Sequence, residues 1–153
     1  MTRDELISRY EAGSDEVAAA LDGITDEGLD RRPGAGEWTA REIVHHLADS
    51  EATSYIRLRR LLAEDAPAIV GYDQDLWSQR LHYDRPIAPS LAVLDAVRAA
   101  SAELLRAVDP SAFSRAGTHD EHGAYSVTTW LEIYADHAHD HAEQIRRVRR
   151  GAA

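Results

Sequence analysis

The placement of histidine in this chain suggests chemistry before any other feature does. Of eight histidines, His45 and His46 are adjacent, and His137, His139 and His141 alternate within a short stretch. Imidazole nitrogens are common ligands of divalent transition metals and also act as acids and bases near neutral pH. Spacing decides which of these side chains can meet.

On a helix, His137 and His141 lie on the same face. At about 100° per residue, His141 projects about 40° from His137, and the apolar Trp130 and Ile145 fall within about 80° of it. His139 projects about 200° away, so we expect it to be solvated and a poor ligand. Two imidazoles at positions i and i+4 can approach one ion, about 2 Å from each nitrogen.

The adjacent pair can supply a third ligand. The apolar arc of its helix is centred about 110° from His46 and about 150° from His45, so we expect His46 at the edge of the core and His45 further toward solvent. The residues therefore predict a metal site of His46, His137 and His141. The alternative is a set of hydrogen-bonded core histidines, but burying two rings together without a shared partner doubles the desolvation cost.

Other polar residues are candidates for supporting roles. Asp49 projects about 60° from His46 and is our candidate for a carboxylate that orients a ligand imidazole. Asp73 and Trp77 are our candidates for lining a pocket. We expect His119 and His122 to be loop residues.

Four stretches have the apolar periodicity of helices, and none has strand alternation over a useful length. Capping boxes open the first two, and Ser90 can cap the third. The predicted bounds are Thr2 to Leu21, Thr39 to Glu64, Ser90 to Val108 and Ser126 to Arg150.

The connection over residues 65–89 is long for a small helical domain. It contains a possible short helix from Asp75 to Leu81, and its length predicts a crossover between the second and third helices rather than a hairpin. No repeat or second-domain boundary is visible in the sequence. We therefore predict an all-α four-helix bundle that forms a single domain over residues 1–153.

Composition narrows the classes of function. The net charge of −10 disfavours binding to nucleic acid, and the basic tail from Arg146 to Arg150 is typical of a helix C-terminus that complements its macrodipole. There is no cysteine, no signal peptide pattern and no apolar run that could cross a bilayer. We expect a cytoplasmic protein that binds neither nucleic acid nor membrane.

Three motifs taken together resemble the DinB/YfiT-like superfamily of metal-dependent enzymes. They are Gly36-Glu-Trp-Thr-Ala-Arg-Glu-Ile-Val-His-His-Leu-Ala-Asp-Ser-Glu51, Gly71-Tyr-Asp-Gln-Asp-Leu-Trp77 and His137-Ala-His-Asp-His-Ala-Glu-Gln-Ile145. The resemblance implies an up-down-down-up bundle with one divalent ion, nickel or zinc, held by His46, His137 and His141. It also supplies the helix order, which the periodicity does not.

Two classes of function follow from this site. Three imidazoles leave coordination positions open for water or substrate, as in catalytic sites. The first class is therefore an enzyme acting on a small molecule, either a hydrolase or a thiol S-transferase that takes a low-molecular-weight thiol as cosubstrate. The second is a non-catalytic metal- or ligand-binding bundle, as a monomer or a homodimer.

Overall fold

The computed structural model describes residues 1–151, which form four long helices and several short elements. The long helices are α1 (Arg3–Leu21), α3 (Ala40–Ala63), α5 (Ala88–Ala107) and α6 (Val127–Arg149). The short elements are α2 (Asp26–Asp30), α4 (Gln74–Arg80), a 3₁₀ helix (Pro110–Ser114) and the strands β1 (Ala68–Ile69), β2 (Ala116–His119) and β3 (Gly123–Ser126). The prediction of a four-helix bundle is confirmed.

Helix ends follow the local sequence closely. Both predicted capping boxes are present, at the start of α1 and at the start of α3, where the Thr39 hydroxyl accepts from the Glu42 amide and the Glu42 carboxylate accepts from the Thr39 amide. The cap predicted at Ser90 was wrong. Helix α5 begins at Ala88, because Pro89 fits the first turn at no hydrogen-bond cost, and Ser90 is buried inside that turn.

Contacts between helices give their directions. Helices α1 and α6 run parallel, since Tyr10 packs on Trp130 near one end and Glu16 pairs with Arg146 near the other. Helix α3 is antiparallel to α6, because Trp130 near the start of α6 donates to the Ser54 carbonyl, whereas His141 further along α6 packs on His46 nearer the start of α3.

Helix α5 in turn runs parallel to α3. His45 contacts Ser90 near the start of both helices, and Arg59 donates to Ser101 further along both. The order is therefore up-down-down-up, with a crossover between α3 and α5.

The crossover covers the outer side of α3 and contributes to a small sheet. Strand β1 pairs in parallel with β2, and β2 forms an antiparallel hairpin with β3. A side chain at Gly117 would collide with the Pro67 carbonyl, so glycine allows β1 and β2 to approach. The sequence did not predict these strands because two to four residues are too few to show alternation.

The interior of the bundle contains two apolar clusters. One surrounds Trp130 and includes Leu58; the other includes Leu47 and Ile145. Along α3, Glu51 lies between Leu47 of one cluster and Leu58 of the other, and it is fully buried. Within residues 1–151, no helix combines the length and the apolarity that a bilayer span requires.

Candidate metal centre

Three histidines converge between α3 and α6. One nitrogen from each of His46, His137 and His141 lies within 4.8 Å of the others. The ring centroids are 4.7 Å apart for His137 and His141, 4.8 Å for His46 and His141, and 5.6 Å for His46 and His137. The structure thus brings together the three residues that spacing and resemblance predicted.

The hydrogen bonds around these rings leave nitrogen lone pairs available. Nδ1 of His141 donates to Oε1 of Gln144 at 2.8 Å, so the lone pair of the neutral ring is on Nε2. Nδ1 of His46 is buried and has no hydrogen-bond partner within residues 1–151. An unpaired buried polar atom is costly, and a cation held between the rings would give the cluster the partner that protein groups do not supply.

Burial keeps His46 and His141 uncharged. Desolvation, reinforced by His141 and His137, lowers the pKa of His46 to about 3. Desolvation and the nearby His137 lower the pKa of His141 to about 4. Both rings are therefore neutral at pH 7, which is the form that binds metal.

A buried ion pair lies directly behind His137. Nδ1 of His137 is 3.7 Å from Oε1 of Glu51, and the same oxygen accepts from Nη2 of Arg98 at 2.6 Å. Burial raises the pKa of Glu51, but the Arg98 guanidinium and His137 outweigh that effect and hold it below its usual range. Arg98 also donates to the Tyr10 and Tyr134 carbonyls, so its position is set by three helices.

Asp49, the predicted orienting carboxylate, has a different partner. Its Oδ2 accepts from the Tyr83 hydroxyl at 2.6 Å, and among the described residues it makes no hydrogen bond to a histidine of the cluster. The carboxylate beside the cluster is Glu51. The helical projection gave only the direction of Asp49 relative to His46 on α3. Which carboxylate lies beside the cluster depends on how α3 packs against α5 and α6, and this packing places Glu51 next to His137.

His45 is not solvated, and the prediction for it was wrong. The side chain is fully buried; its Nε2 donates to the Arg85 carbonyl at 2.9 Å and its Nδ1 accepts from the Ser90 hydroxyl at 2.7 Å. Both nitrogens are occupied, so His45 has no lone pair for a metal. The projection missed this because the crossover covers the side of α3 opposite the bundle interior.

His139 also departs from the predicted exposure. It is half-buried, and its Nε2 donates to the Arg9 carbonyl on α1 at 2.9 Å. It lies outside the three-histidine cluster, which agrees with the spacing argument on ligands.

A cavity of about 370 Å³ opens beside His141. Its walls are formed by the loop before α3, the start of α4 and the last turns of α6, and they include Trp38, whose ring packs 4.6 Å from that of His46. The lining residues are Pro33, Gly36, Glu37, Trp38, Gln74, Asp75, His141, Gln144, Arg147 and Val148.

The two predicted pocket residues lie near this cavity but do not line it. Asp73 caps α4 by accepting from the Leu76 amide. Trp77 lines a separate cavity, on the side of α3 that includes Asp49 and Val70. Their neighbours Gln74 and Asp75 line the cavity at His141 instead.

A second group of side chains comes together at the β2–β3 hairpin. His119, Glu121 and His122 have ligand atoms within 4.8 Å of one another, and His119 belongs to β2 and is buried, so it is not the loop residue predicted. Nδ1 of His119, however, accepts from the Glu121 amide at 3.0 Å. In a neutral ring this places the proton on Nε2, so no lone pair of His119 remains for an ion.

The sequence reasoning missed Arg98, although a signal was present. Leu94, Arg98 and Leu105 share one face of α5 at helical spacing, and Arg98 is fully buried there. An arginine within an apolar stripe needs a buried carboxylate partner. That requirement points to Glu51, the acidic residue within the buried part of α3.

Comparisons with known proteins agree with this fold. The model of the DinB superfamily matches residues 9–145. A relative from Oceanobacillus iheyensis, named as a candidate metal-dependent hydrolase, is 36% identical over 122 residues, which cover 80% of this chain and 71% of the relative. YfiT of Bacillus subtilis, named in the same way, is 34% identical over 97% of this chain and 84% of its own length.

The solved structure of Bacillus subtilis YfiT has the same fold. It superposes with a TM-score of 0.90 at 31% identity, covering 100% of this chain and 91% of YfiT. That protein is described as a candidate metal-dependent hydrolase with an unusual four-helix bundle topology. The resemblance found in the sequence is confirmed.

Proposed function

This chain belongs to the DinB superfamily, and on that premise we propose that it is a metal-dependent hydrolase of a small molecule. One divalent ion, nickel or zinc, is held by His46, His137 and His141. The observation that carries this proposal is the convergence of three imidazoles within 4.8 Å at the edge of a cavity.

The donor set suits a catalytic ion. Three protein ligands leave coordination positions open, in contrast to a closed structural site. His141 is both a member of the cluster and a lining residue of the cavity, so a molecule in the cavity has access to the ion. When bound, such an ion supplies Lewis acidity, which lowers the pKa of water toward neutrality and polarises a carbonyl oxygen.

Side chains around the cluster set the tautomers of His141 and His137 and shield His46 from solvent. Gln144 holds His141 in the tautomer whose Nε2 is free. Glu51 faces Nδ1 of His137 and favours a proton there, which leaves Nε2 of that ring to bind. Trp38 covers one side of His46 and limits access of solvent.

Hydrolysis needs no second organic substrate, because water is the attacking group. In the reaction, water forms a bond from its oxygen to the acyl carbon, the bond to the leaving group breaks, and a proton from the water passes to that group. A thiol S-transferase needs a thiol cosubstrate, since the chain has no cysteine, and the related proteins named above are described as candidate metal-dependent hydrolases.

The metal is tested first, by elemental analysis of protein purified without chelator or histidine tag. We expect about one divalent ion per chain, lost in His46→Ala and His141→Ala. His45→Ala is the matched control, because it is adjacent and buried but has both nitrogens occupied. Full metal content in the two ligand variants would refute the site.

Activity is tested by a turnover screen of the metal-loaded protein against small esters and amides. A parallel screen combines low-molecular-weight thiols with electrophiles. Turnover of esters or amides that disappears in His141→Ala supports the hydrolase. Turnover in the thiol screen alone identifies an S-transferase, and no turnover in either screen favours a non-catalytic binding module.

A further inference from the structure

Four arginines lie at the end of α6, three in its last turn and Arg150 at the C-cap, and only one of them faces the cavity at the metal centre. Arg146 pairs with Glu16 at 3.0 Å, and Arg150 pairs with Glu143 at 3.0 Å. Arg149 donates to two carbonyls at the end of α1. Arg147 lines the cavity and has no hydrogen bond or ion pair within residues 1–151.

Two carboxylates line the same cavity from other elements. Glu37 belongs to the loop before α3, and Asp75 belongs to the first turn of α4. Neither side chain makes a hydrogen bond or an ion pair in the described part of the chain, and neither lies within 4.0 Å of the Arg147 guanidinium. The cavity therefore presents one cation and two anions that do not neutralise one another.

Arg147 differs in this from Arg146, Arg149 and Arg150, whose hydrogen bonds and ion pairs contribute to the stability of the fold. Complementing the macrodipole explains a positive charge at the end of α6, but it does not explain why, of these four arginines, the one that lines the cavity at His141 has no partner among the described residues. Arg147 follows His141 by six positions, which corresponds to about 9 Å along the helix axis. A small molecule can bridge that span with one end at the ion and the other at the guanidinium.

We propose that Arg147 binds a carboxylate of the substrate while Glu37 and Asp75 face its ammonium group. The substrate class is then a small amide or ester derived from an amino acid, with its scissile bond at the metal. Arginine suits this role because its planar guanidinium binds carboxylates with two parallel hydrogen bonds. This inference rests on the proposed function, and its test measures binding rather than turnover.

Hydroxamates are suitable probes because their head group chelates metal and their tail can be varied. We choose glutamate γ-hydroxamate, with both charged groups, and compare it with glutaric monohydroxamate, which lacks the ammonium. The third probe is 4-aminobutyrohydroxamate, which lacks the carboxylate, and the fourth is butyrohydroxamate, which lacks both. Dissociation constants are measured by calorimetry on zinc-loaded protein.

We expect glutamate γ-hydroxamate to bind tightest, with a loss of about threefold to tenfold on removal of the carboxylate, as for a partly screened charge pair. In Arg147→Gln this difference should disappear, whereas in the control Arg150→Gln it should persist. In Glu37→Gln/Asp75→Asn the preference for the ammonium should disappear.

Equal binding of all four probes, or a carboxylate preference that survives in Arg147→Gln, overturns the inference while leaving the metal site intact. Failure of all four, butyrohydroxamate included, to bind the zinc-loaded protein overturns the proposed function together with it.

Discussion

Oε1 of Glu51 on α3 lies 3.7 Å from Nδ1 of His137 on α6 and at the same time accepts from Arg98 on α5 at 2.6 Å. Both members of the ion pair are buried, with side-chain exposures of 0% for Glu51 and 1% for Arg98. One carboxylate oxygen thus lies beside both His137 and the buried guanidinium of Arg98. The position of His137 therefore depends on the interior of the fold as well as on its own helix.

Replacing Glu51 with glutamine should weaken the metal site. The variant keeps the size of the side chain but loses the charge that orients His137, and changes of this kind typically cost roughly 10–100-fold in metal affinity. Competition with a chromophoric chelator measures the dissociation constant. Glu103→Gln, on an exposed face of α5, is the control, and an equal affinity in Glu51→Gln and Glu103→Gln would contradict the role of Glu51.

Replacing Arg98 with methionine should destabilise the fold strongly. Glu51 would remain buried without its cation, and breaking a buried pair in this way costs about 3–5 kcal/mol. Urea unfolding in the presence of a chelator measures the free energy without a contribution from metal. The double variant Glu51→Gln/Arg98→Met should be more stable than Arg98→Met alone; if it is less stable, the ion pair is not the source of the loss.

The metal-free protein should lose stability as the pH falls below about 6.5, the usual pKa of histidine. In the folded chain the pKa of His46 is about 3 and that of His141 about 4. Between these values and pH 6.5 the unfolded chain binds protons that the folded chain does not, so protons favour unfolding. The contribution is constant above pH 6.5 and is lost progressively toward pH 4.

Unfolding free energies at pH 7, 6 and 5, measured with chelator present, test this pH dependence. His46→Leu removes one of the two titrating rings, and its stability should fall less steeply over this range. A slope that is equal in the parent and the variant would contradict the assignment of the effect to His46.

Gly13 should not tolerate alanine, although it lies within α1. A Cβ there would be 2.5 Å from Nη1 of Arg98 and 2.8 Å from Cβ of Ala138. In an exposed helix interior, glycine to alanine gains about 1 kcal/mol, but forcing an atom into this packed site costs about 1–3 kcal/mol. We expect a net loss in the free energy of unfolding, and a gain would show that α1 and α6 can separate at no cost.

The exposed Ala12→Gly variant calibrates the intrinsic helix term in that comparison. It should lose about 1 kcal/mol, and it leaves Arg98 untouched. The difference between the two variants then isolates the steric contribution at Gly13.

Local chemistry explains which parts of the fold were predictable. The capping boxes at Thr2 and Thr39 use contacts three residues apart, and the four apolar stripes repeat within each helix, so both are properties of neighbouring residues. The start of α5 depended on one proline in its first turn. The short strands depended on pairing between segments that are distant along the chain. Spacing within one segment contains no information on such pairing.

The candidate site divides in the same way. The sequence by itself placed His137 and His141 on one buried face, because two residues of one helix have a known angular relationship. Only the tertiary structure decided that His45 is buried with both nitrogens bonded, and that Glu51 rather than Asp49 lies beside the cluster. Those outcomes depend on contacts that the crossover and Arg98 of α5 make with α3. These contacts join residues that are far apart along the chain.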